Sequence, residues 1–371
     1  MNSRLSRLVK ITQENNLDAV ALNPGQTLTW LTGLQFHLME RPVLGLFAAD
    51  GSVRLVLPNL ERAKLQGLNF EPVVAGYGDD PSKWDEVFME GFAGLDGKEL
   101  KIGVEPARLR VLELGFLQRA LPQAAVVDAS KALAKLRICK DEQEIAQMRQ
   151  AAVIAQNALL ETLKTIEAGQ TEKQIAGELM VQLFRAGSDA ELPFAPIVAI
   201  GENSANPHAA PGDRVLREGD ILLIDYGASF EGYYSDITRS FFCGEVEEEF
   251  KTIAELVHDA NQAARLGGKP GMRAGEIDDL ARNVIAAAGY GEAFFHRVGH
   301  GLGMETHEEP YMFAANPLLL EEGMVFTIEP GIYLTGRGGI RIEDDVVVTK
   351  DGLLSLTDLP RRVLPISMFK G

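Results

Sequence analysis

The chain of 371 residues is poor in cysteine, in histidine and in positive charge. Its two cysteines, Cys139 and Cys243, fall into no metal motif. They exclude a disulfide framework and a thiolate site, and read as inert core residues. No apolar run approaches the roughly 18–20 residues that span a bilayer. The start, Met1-Asn-Ser-Arg-Leu-Ser-Arg-Leu-Val-Lys10, is basic but has neither an apolar segment nor a small-residue cleavage site. It reads as an amphipathic helix of a cytoplasmic protein. Against 53 Asp and Glu stand only 36 Lys and Arg, a net charge of −17. That balance disfavours nucleic acid and anionic membranes as partners, because phosphate binding needs clustered Lys and Arg. A cation site would absorb part of the excess acid.

What is present is ordinary for a globular protein: 46% hydrophobic and 24% charged residues, in a chain long enough for two domains. Up to about Asp128, helical and strand patterns mix. Leu5, Leu8, Val9 and Ile11 suit a helix face, and Ala19–Leu22 is a short strand ending at Asn23-Pro-Gly25. Val43–Ala48 and Val53–Leu57 flank the turn signal Asp50-Gly51. Lys101–Val104 and Ala124–Val127 are further strands around a helix from about Leu109 to Ala120. This is a mixed α/β domain with a single histidine, His37. A long helix then begins near Asp141, with Glu142 and Glu144 suiting its dipole.

The remainder contains an internal echo. Gly169-Gln-Thr-Glu-Lys-Gln-Ile175 up to Ala186-Gly187 matches Gly271-Met-Arg-Ala-Gly-Glu-Ile277 up to Ala288-Gly289 at a constant offset of 102. Thr171 and Gln174 form a capping box. The echo implies two pseudo-symmetric α/β halves, with a site where they meet.

Acids and histidines concentrate in this second part. In Asp220–Arg239, the apolar run Ile221–Ile224 ends in Asp225, and Ser229-Phe-Glu-Gly232 carries turn chemistry. A hairpin centred between Phe230 and Glu231 sets Asp225 directly opposite Asp236. Cβ atoms across such a pair lie roughly 4.5–5.5 Å apart, so two like charges there need a raised pKa, a basic partner or cations between them. Two metal ions about 3.5–4 Å apart would meet that need. Histidine is dense in Phe294-Phe-His296-Arg-Val-Gly-His300-Gly-Leu-Gly303-Met-Glu-Thr-His307, where glycines argue against a helix and let the backbone pass close to a ligand or metal. His208 lies in Asn206-Pro-His-Ala-Ala-Pro211, whereas His258 sits in a helical stretch and reads as structural. Met324-Val-Phe-Thr-Ile-Glu329-Pro-Gly331 repeats the pattern of an apolar strand ending in an acid, here Glu329, and then a turn. Gly339–Val348 reads as one alternating strand with Arg341, Glu343 and Asp345 on one face. Four carboxylates and one imidazole make an oxygen-rich site suited to two divalent ions, favouring Mn²⁺ or a similar first-row ion over an all-thiolate or all-imidazole zinc site.

In order and spacing, Asp225, Asp236, His300 in Gly-His-Gly, Glu329 in Glu-Pro-Gly and Glu343 in Arg-Ile-Glu-Asp resemble the metal pentad of the pita-bread metallopeptidases. Thr29-Trp-Leu-Thr-Gly33 and Lys135-Leu-Arg-Ile-Cys-Lys-Asp-Glu-Gln-Glu144 resemble the Xaa-Pro peptidase branch: prolidase, aminopeptidase P and creatinase-like proteins. The resemblance implies an α/β (α+β) chain with a creatinase-like amino-terminal domain over residues 1–131 and a pseudo-two-fold catalytic domain over 132–371. It implies a peptidase acting on Xaa-Pro bonds with two divalent ions, Mn²⁺ first and Co²⁺ or Zn²⁺ as alternatives. Asp225 would chelate one ion, His300 and Glu329 the other, while Asp236 and Glu343 would bridge both. Glu329 would also shuttle a proton. His208 would help position substrate, His296 line the proline pocket and His307 stabilise the developing oxyanion. Arg341 would bind a substrate carboxylate or hold the acids.

The resemblance further implies a homodimer, in which His37, Glu40 and Arg41 of a partner could close the site. The compact length leans toward a dipeptidase over an aminopeptidase for longer peptides. A methionine aminopeptidase would lack the first domain and His296. A creatinase-like C–N hydrolase would not need the complete pentad, and a non-catalytic binding protein would show eroded ligands.

Overall fold

The structure is a computed structural model and describes residues 3–370. Met1 and Asn2, the start of the expected first helix, lie outside them. The chain divides into two compact units, Met1–Arg137 and Ile138–Gly371. This division lies beyond the expected 131/132 boundary, because residues up to Leu136 are tied to the first helix: Arg7 Nη2 donates to Leu136 O at 2.6 Å.

In the first unit, apolar residues that alternate or run together become strands, and the 3.6-residue patterns become helices. In chain order these are α1 (Ser3–Glu14), β1 (Ala19–Leu22), α2 (Gln26–Thr32), β2 (Leu44–Ala48), β3 (Val53–Pro58), β4 (Val73–Tyr77) and α3 (Trp84–Gly91). After them come β5 (Lys101–Val104), α4 (Val111–Ala120), β6 (Ala125–Asp128) and α5 (Ser130–Ala134). The six strands form one mixed sheet in the order β4-β3-β2-β1-β5-β6. An aromatic cluster fills its core, with Phe88 stacked on Phe116 at 4.4 Å between centroids. The segment carrying His37, Glu40 and Arg41 is anchored within this unit. Tyr77 Oη donates to Pro42 O at 2.6 Å, and Arg110 Nη1 to Met39 O at 2.7 Å.

The second unit begins with α6 (Glu142–Thr165), whose start carries the capping box Asp141–Glu144. It continues with α7 (Glu172–Arg185), β7 (Ile197–Ile200), β8 (Ile221–Tyr226), β9 (Ser229–Phe230), β10 (Tyr233–Tyr234), β11 (Ile237–Phe242), α8 (Glu248–Gly267) and α9 (Ala274–Ala287). The last strands are β12 (His300–Gly301), β13 (Glu308–Tyr311), β14 (Val325–Ile328), β15 (Gly331–Leu334), β16 (Gly338–Arg341), β17 (Asp344–Thr349), β18 (Gly352–Ser355) and β19 (Leu364–Pro365).

The internal echo is structural. Helices α7 and α9 begin and end 102 residues apart. Each is preceded by a turn glycine whose N–H bonds a leucine carbonyl, Gly169 to Leu216 at 2.9 Å and Gly271 to Leu320 at 2.8 Å. Each half has its own core. Ile175, Leu179, Leu222 and Ile224 belong to one, and Ile277, Ala281, Phe326 and Ile328 to the other. The two sheets, β19-β11-β8-β7 and β13-β12-β14-β17-β18, carry the acids where the halves meet.

Candidate metal centre

The first acids come from the β8–β11 hairpin, in a register two residues from the expected one. Asp225 pairs with Thr238, not with Asp236. The cause is the turn. Glu231 and Gly232 both have positive φ, 50° and 78°, as the two-residue type I′ loop requires. That centres the hairpin between Glu231 and Gly232, one position later than assumed. Asp236 is then a diagonal neighbour of Asp225 on the same face.

Gly339–Val348 is likewise not one strand. It breaks at Ile342–Glu343 into β16, which pairs with β15, and β17, which pairs with β14. Glu343 sits in the break, where its N–H bonds Thr238 O at 3.1 Å. Its neighbours are buried rather than solvated: Asp344 and Asp345 are 0% and 1% exposed. Glycines 299 and 301 have a different purpose from the one expected. A Cβ on Gly299 would lie 1.9 Å from Thr327 O, and one on Gly301 2.3 Å from Glu309 O. These glycines let the histidine strand approach neighbouring backbone, and so place His300 between β13 and β14.

His300 is fixed in one tautomer by its surroundings. Nδ1 lies 3.2 Å from Gly301 O, so it carries the proton. The lone pair of Nε2 faces Glu329 Oε1 at 3.4 Å and Asp236 Oδ2 at 3.7 Å. Ligand atoms of Asp236, His300 and Glu343 all lie within 4.8 Å of one another. Asp225 is held by Arg341, whose Nη2 donates to Oδ2 at 2.5 Å. Its other oxygen, Oδ1, is buried without a hydrogen-bond partner. Burial first, and then the neighbouring carboxylates, push Asp236 and Glu343 well above the usual carboxylate range. Burial raises Glu329 to about 8. An orphaned oxygen, a free imidazole lone pair and crowded buried acids fit divalent cations, which would offset this cost.

The second layer of contacts includes residues that sequence reasoning missed. Thr238 Oγ1 donates to Glu343 Oε2 at 2.5 Å and accepts from Arg341 Nε at 3.0 Å. Its register opposite Asp225 was the available signal, and the misplaced turn hid it. Arg341 Nη1 donates to Tyr333 Oη at 2.9 Å, and Tyr333 Oη lies 3.0 Å from His296 Nε2. With His296 Nδ1 2.7 Å from Arg297 O, the hydroxyl proton points to Nε2 and the imidazole is neutral. Burial, followed by the nearby Arg341 charge, lowers His296 to about 4. Arg341 is itself 2% exposed and engaged with the protein, holding the acids. Asp345 Oδ2 accepts the N–H of Asp236 at 3.1 Å.

All nine predicted residues line one cavity of about 1020 Å³: Asp225, Asp236, His300, Glu329 and Glu343, with His208, His296, His307 and Arg341. His208 and His307 are exposed at its rim, and the His307 ring lies 4.0 Å from that of His300. His258 lies apart on α8 beside Asp259.

The profile of metallopeptidase family M24 matches residues 146–350, and that of the Creatinase/Prolidase N-terminal domain matches residues 4–139. The chain belongs to metallopeptidase family M24. An Xaa-Pro dipeptidase of Lactobacillus delbrueckii subsp. lactis is 35% identical over 98% of this chain and 99% of that one. Among solved structures, a dipeptidase from Pyrococcus horikoshii superposes with a TM-score of 0.91 at 37% identity, covering 98% of this chain and 99% of that one. A prolidase from Thermococcus sibiricus gives 0.92 at 31%, covering 98% of each. The fold is therefore the expected creatinase-like domain followed by a pita-bread metallopeptidase domain. As a family M24 metallopeptidase, the chain is a hydrolase whose chemistry is that of divalent metal ions. Among the described residues no helix is long and apolar enough to cross a membrane.

Proposed function

We propose that this chain is an Xaa-Pro dipeptidase, hydrolysing the peptide bond before proline. The observation that carries this reading is the convergence of all nine residues on one cavity. In this reading Asp225, Asp236, His300, Glu329 and Glu343 would hold two divalent ions, with Asp225 serving one, His300 and Glu329 the other, and Asp236 and Glu343 shared. Mn²⁺ is the proposed metal, since hard oxygen donors dominate the set. Bound ions would supply Lewis acidity and a water acidic enough to attack near neutral pH.

The chain's own groups do the rest. Glu329 holds and passes a proton toward the leaving nitrogen. His307, at the rim beside His300, donates to the developing oxyanion. His208 positions the substrate end near the leaving proline. His296, kept neutral by burial, presents its ring to the proline with the apolar walls of Pro193, Phe194 and Phe295. Arg341 acts as a positioning residue by holding Asp225 and Thr238. Proline's tertiary amide lacks an N–H and its ring fixes φ, so a shaped apolar pocket recognises what general peptidases reject. The proposal includes a cytoplasmic homodimer.

Metal-stripped protein resupplied with Mn²⁺ is expected to cleave Ala-Pro faster than Ala-Pro-Ala, and Asp236→Asn to lose both activities. Preference for Ala-Pro-Ala would move the reading to an aminopeptidase. Equal activity of Asp236→Asn, or cleavage of neither peptide, refutes it. Light scattering on the eluting protein tests the dimer.

A further inference from the structure

Glu172 is a buried carboxylate outside the candidate metal centre. It opens α7, is 0% exposed, and no Lys, Arg or His among the described residues pairs with it. A buried acid without a counter-charge must be satisfied by hydrogen bonds. Its donors all come from the segment that carries His208. Oε1 accepts the N–H of Ile200 at 2.8 Å and the side-chain amide of Asn203 at 2.9 Å. Oε2 accepts the N–H of Gly212 at 2.8 Å. One carboxylate thus clasps both ends of the loop between residues 200 and 212.

The clasp reaches His208 by a short path. Asn203, held by Glu172, accepts the N–H of Asn206 on its carbonyl at 3.0 Å, and Asn206 Oδ1 accepts the N–H of His208 at 3.1 Å. The adjacent Pro207 carbonyl lies 3.4 Å from Arg341 Nη2. His208 itself is exposed and lines the cavity, so the position of its ring depends on the loop backbone beneath it.

The pseudo-symmetry supplies an internal comparison. Glu172 corresponds to Ala274 at the offset of 102, and the two helix starts bond alike: Lys173 N to Gly212 O at 3.2 Å, Gly275 N to Asn316 O at 3.1 Å. In that second half no carboxylate among the described residues bonds both ends of the corresponding loop. Asn316 closes it locally, donating to Tyr311 O at 2.6 Å and accepting from Leu318 N at 3.0 Å. The fold itself therefore does not require an acid at this position.

We propose that Glu172 is a positioning residue, which sets the height of His208 over the cavity by clasping both ends of the loop that carries it. The inference rests on the reading of His208 as a substrate-positioning group. Glu172→Gln keeps an acceptor for Ile200 and Asn203 but turns an amide donor toward the Gly212 N–H, so it opens one end of the clasp.

The test compares Glu172→Gln, His208→Ala and the double variant in the full chain loaded with Mn²⁺, using Ala-Pro. Each single variant is expected to lower kcat/KM by roughly tenfold to a hundredfold, as small misplacements of a positioning group do. The double variant is expected to fall within about twofold of His208→Ala, because both changes act through one group. Bound metal per chain should stay at the wild-type value in Glu172→Gln, since no proposed metal ligand lies on the loop.

Amide hydrogen exchange over residues 201–211 gives a readout independent of His208 chemistry. Glu172→Gln should speed it about tenfold, and leave α9 unchanged. Losses that multiply in the double variant, unaltered exchange, or loss of bound metal would overturn the inference. A fully active His208→Ala together with faster loop exchange would overturn only the reading of His208.

Discussion

Replacing Asp344 with asparagine should destabilise the carboxy-terminal unit by a predictable and pH-dependent amount. Asp344 is 0% exposed and meets Arg239 Nη2 at 2.8 Å, Arg361 Nε at 2.9 Å and Arg265 Nε at 3.7 Å. Thr357 Oγ1 also donates to it at 2.7 Å. Burial raises its pKa, but the Arg239 and Arg361 charges outweigh burial and bring the carboxyl from 3.8 down to about 2. The folded state therefore binds this proton more weakly than the unfolded chain. Its stabilisation is complete above the unfolded value and is lost as pH falls through about 2.

The interval from 3.8 to about 2, at about 1.4 kcal/mol per pH unit, corresponds to about 2.5 kcal/mol at neutral pH. About half of that remains at pH 3. Asparagine also leaves the 3% exposed Arg239 short of counter-charge, and broken buried pairs cost about 3–5 kcal/mol. Urea unfolding followed by circular dichroism should therefore show a loss of about 2.5–4 kcal/mol at pH 7, shrinking toward pH 3. Both tryptophans, Trp30 and Trp84, belong to the amino-terminal unit, so their fluorescence provides the control. A loss below about 1 kcal/mol, the range of an exposed pair, or one unchanged between pH 7 and pH 3, refutes the reasoning.

Thr238→Val removes the donor to Glu343 and the acceptor for Arg341. It should weaken Mn²⁺ binding about tenfold to a hundredfold by calorimetric titration, with Thr238→Ser restoring it. Asp225→Asn should retain about one ion per chain and Asp236→Asn far less, as elemental analysis after desalting would show; the reverse order would contradict the proposed bridging role. Burial and Arg341 hold His296 near 4, below its ordinary 6.5, so the folded state resists its protonation. That costs stability as pH falls from 6.5 toward 4, about 2 kcal/mol between pH 7 and pH 5. His296→Gln should flatten this slope in urea midpoints of metal-free protein, and an unchanged slope would count against a neutral buried imidazole.

Several elements were legible in the sequence because local chemistry decides them. The echo from Gly169 and Gly271 predicted α7 and α9, since a turn glycine, a polar helix start and an Ala-Gly stop act within one segment. The strands around Asp50-Gly51 form because that turn signal agrees with its flanking apolar runs. What escaped had weak local signals or depended on distant partners. The register of Asp225 was off by two because Glu231, not a typical turn residue, takes positive φ beside Gly232. The break at Glu343 was hidden because Gly339–Val348 is β-forming throughout, and only pairing with two different strands divides it. β4 and α3 were missed because Val73–Tyr77 includes a glycine and Trp84–Gly91 is short. The nine candidate site residues, which line one cavity, follow from motif order and spacing, whereas the contacts of Thr238 and Glu172 are ones that spacing does not reveal.

The meeting of two halves at one site also sets a timetable for the chain as it is made. Asp225 and Asp236 leave the ribosome before their stabilising partners exist. Arg341 follows Asp225 by 116 residues, and Glu343 follows Thr238 by 105. At about 5–20 residues per second, the first two acids wait roughly 5–25 seconds. During that interval the β8–β11 hairpin carries adjacent carboxylates without Arg341, which later holds Asp225. The candidate centre therefore forms late, on completion of the second half, and truncation between Asp236 and Glu343 should leave the nascent protein with these two acids but without the groups that enclose them.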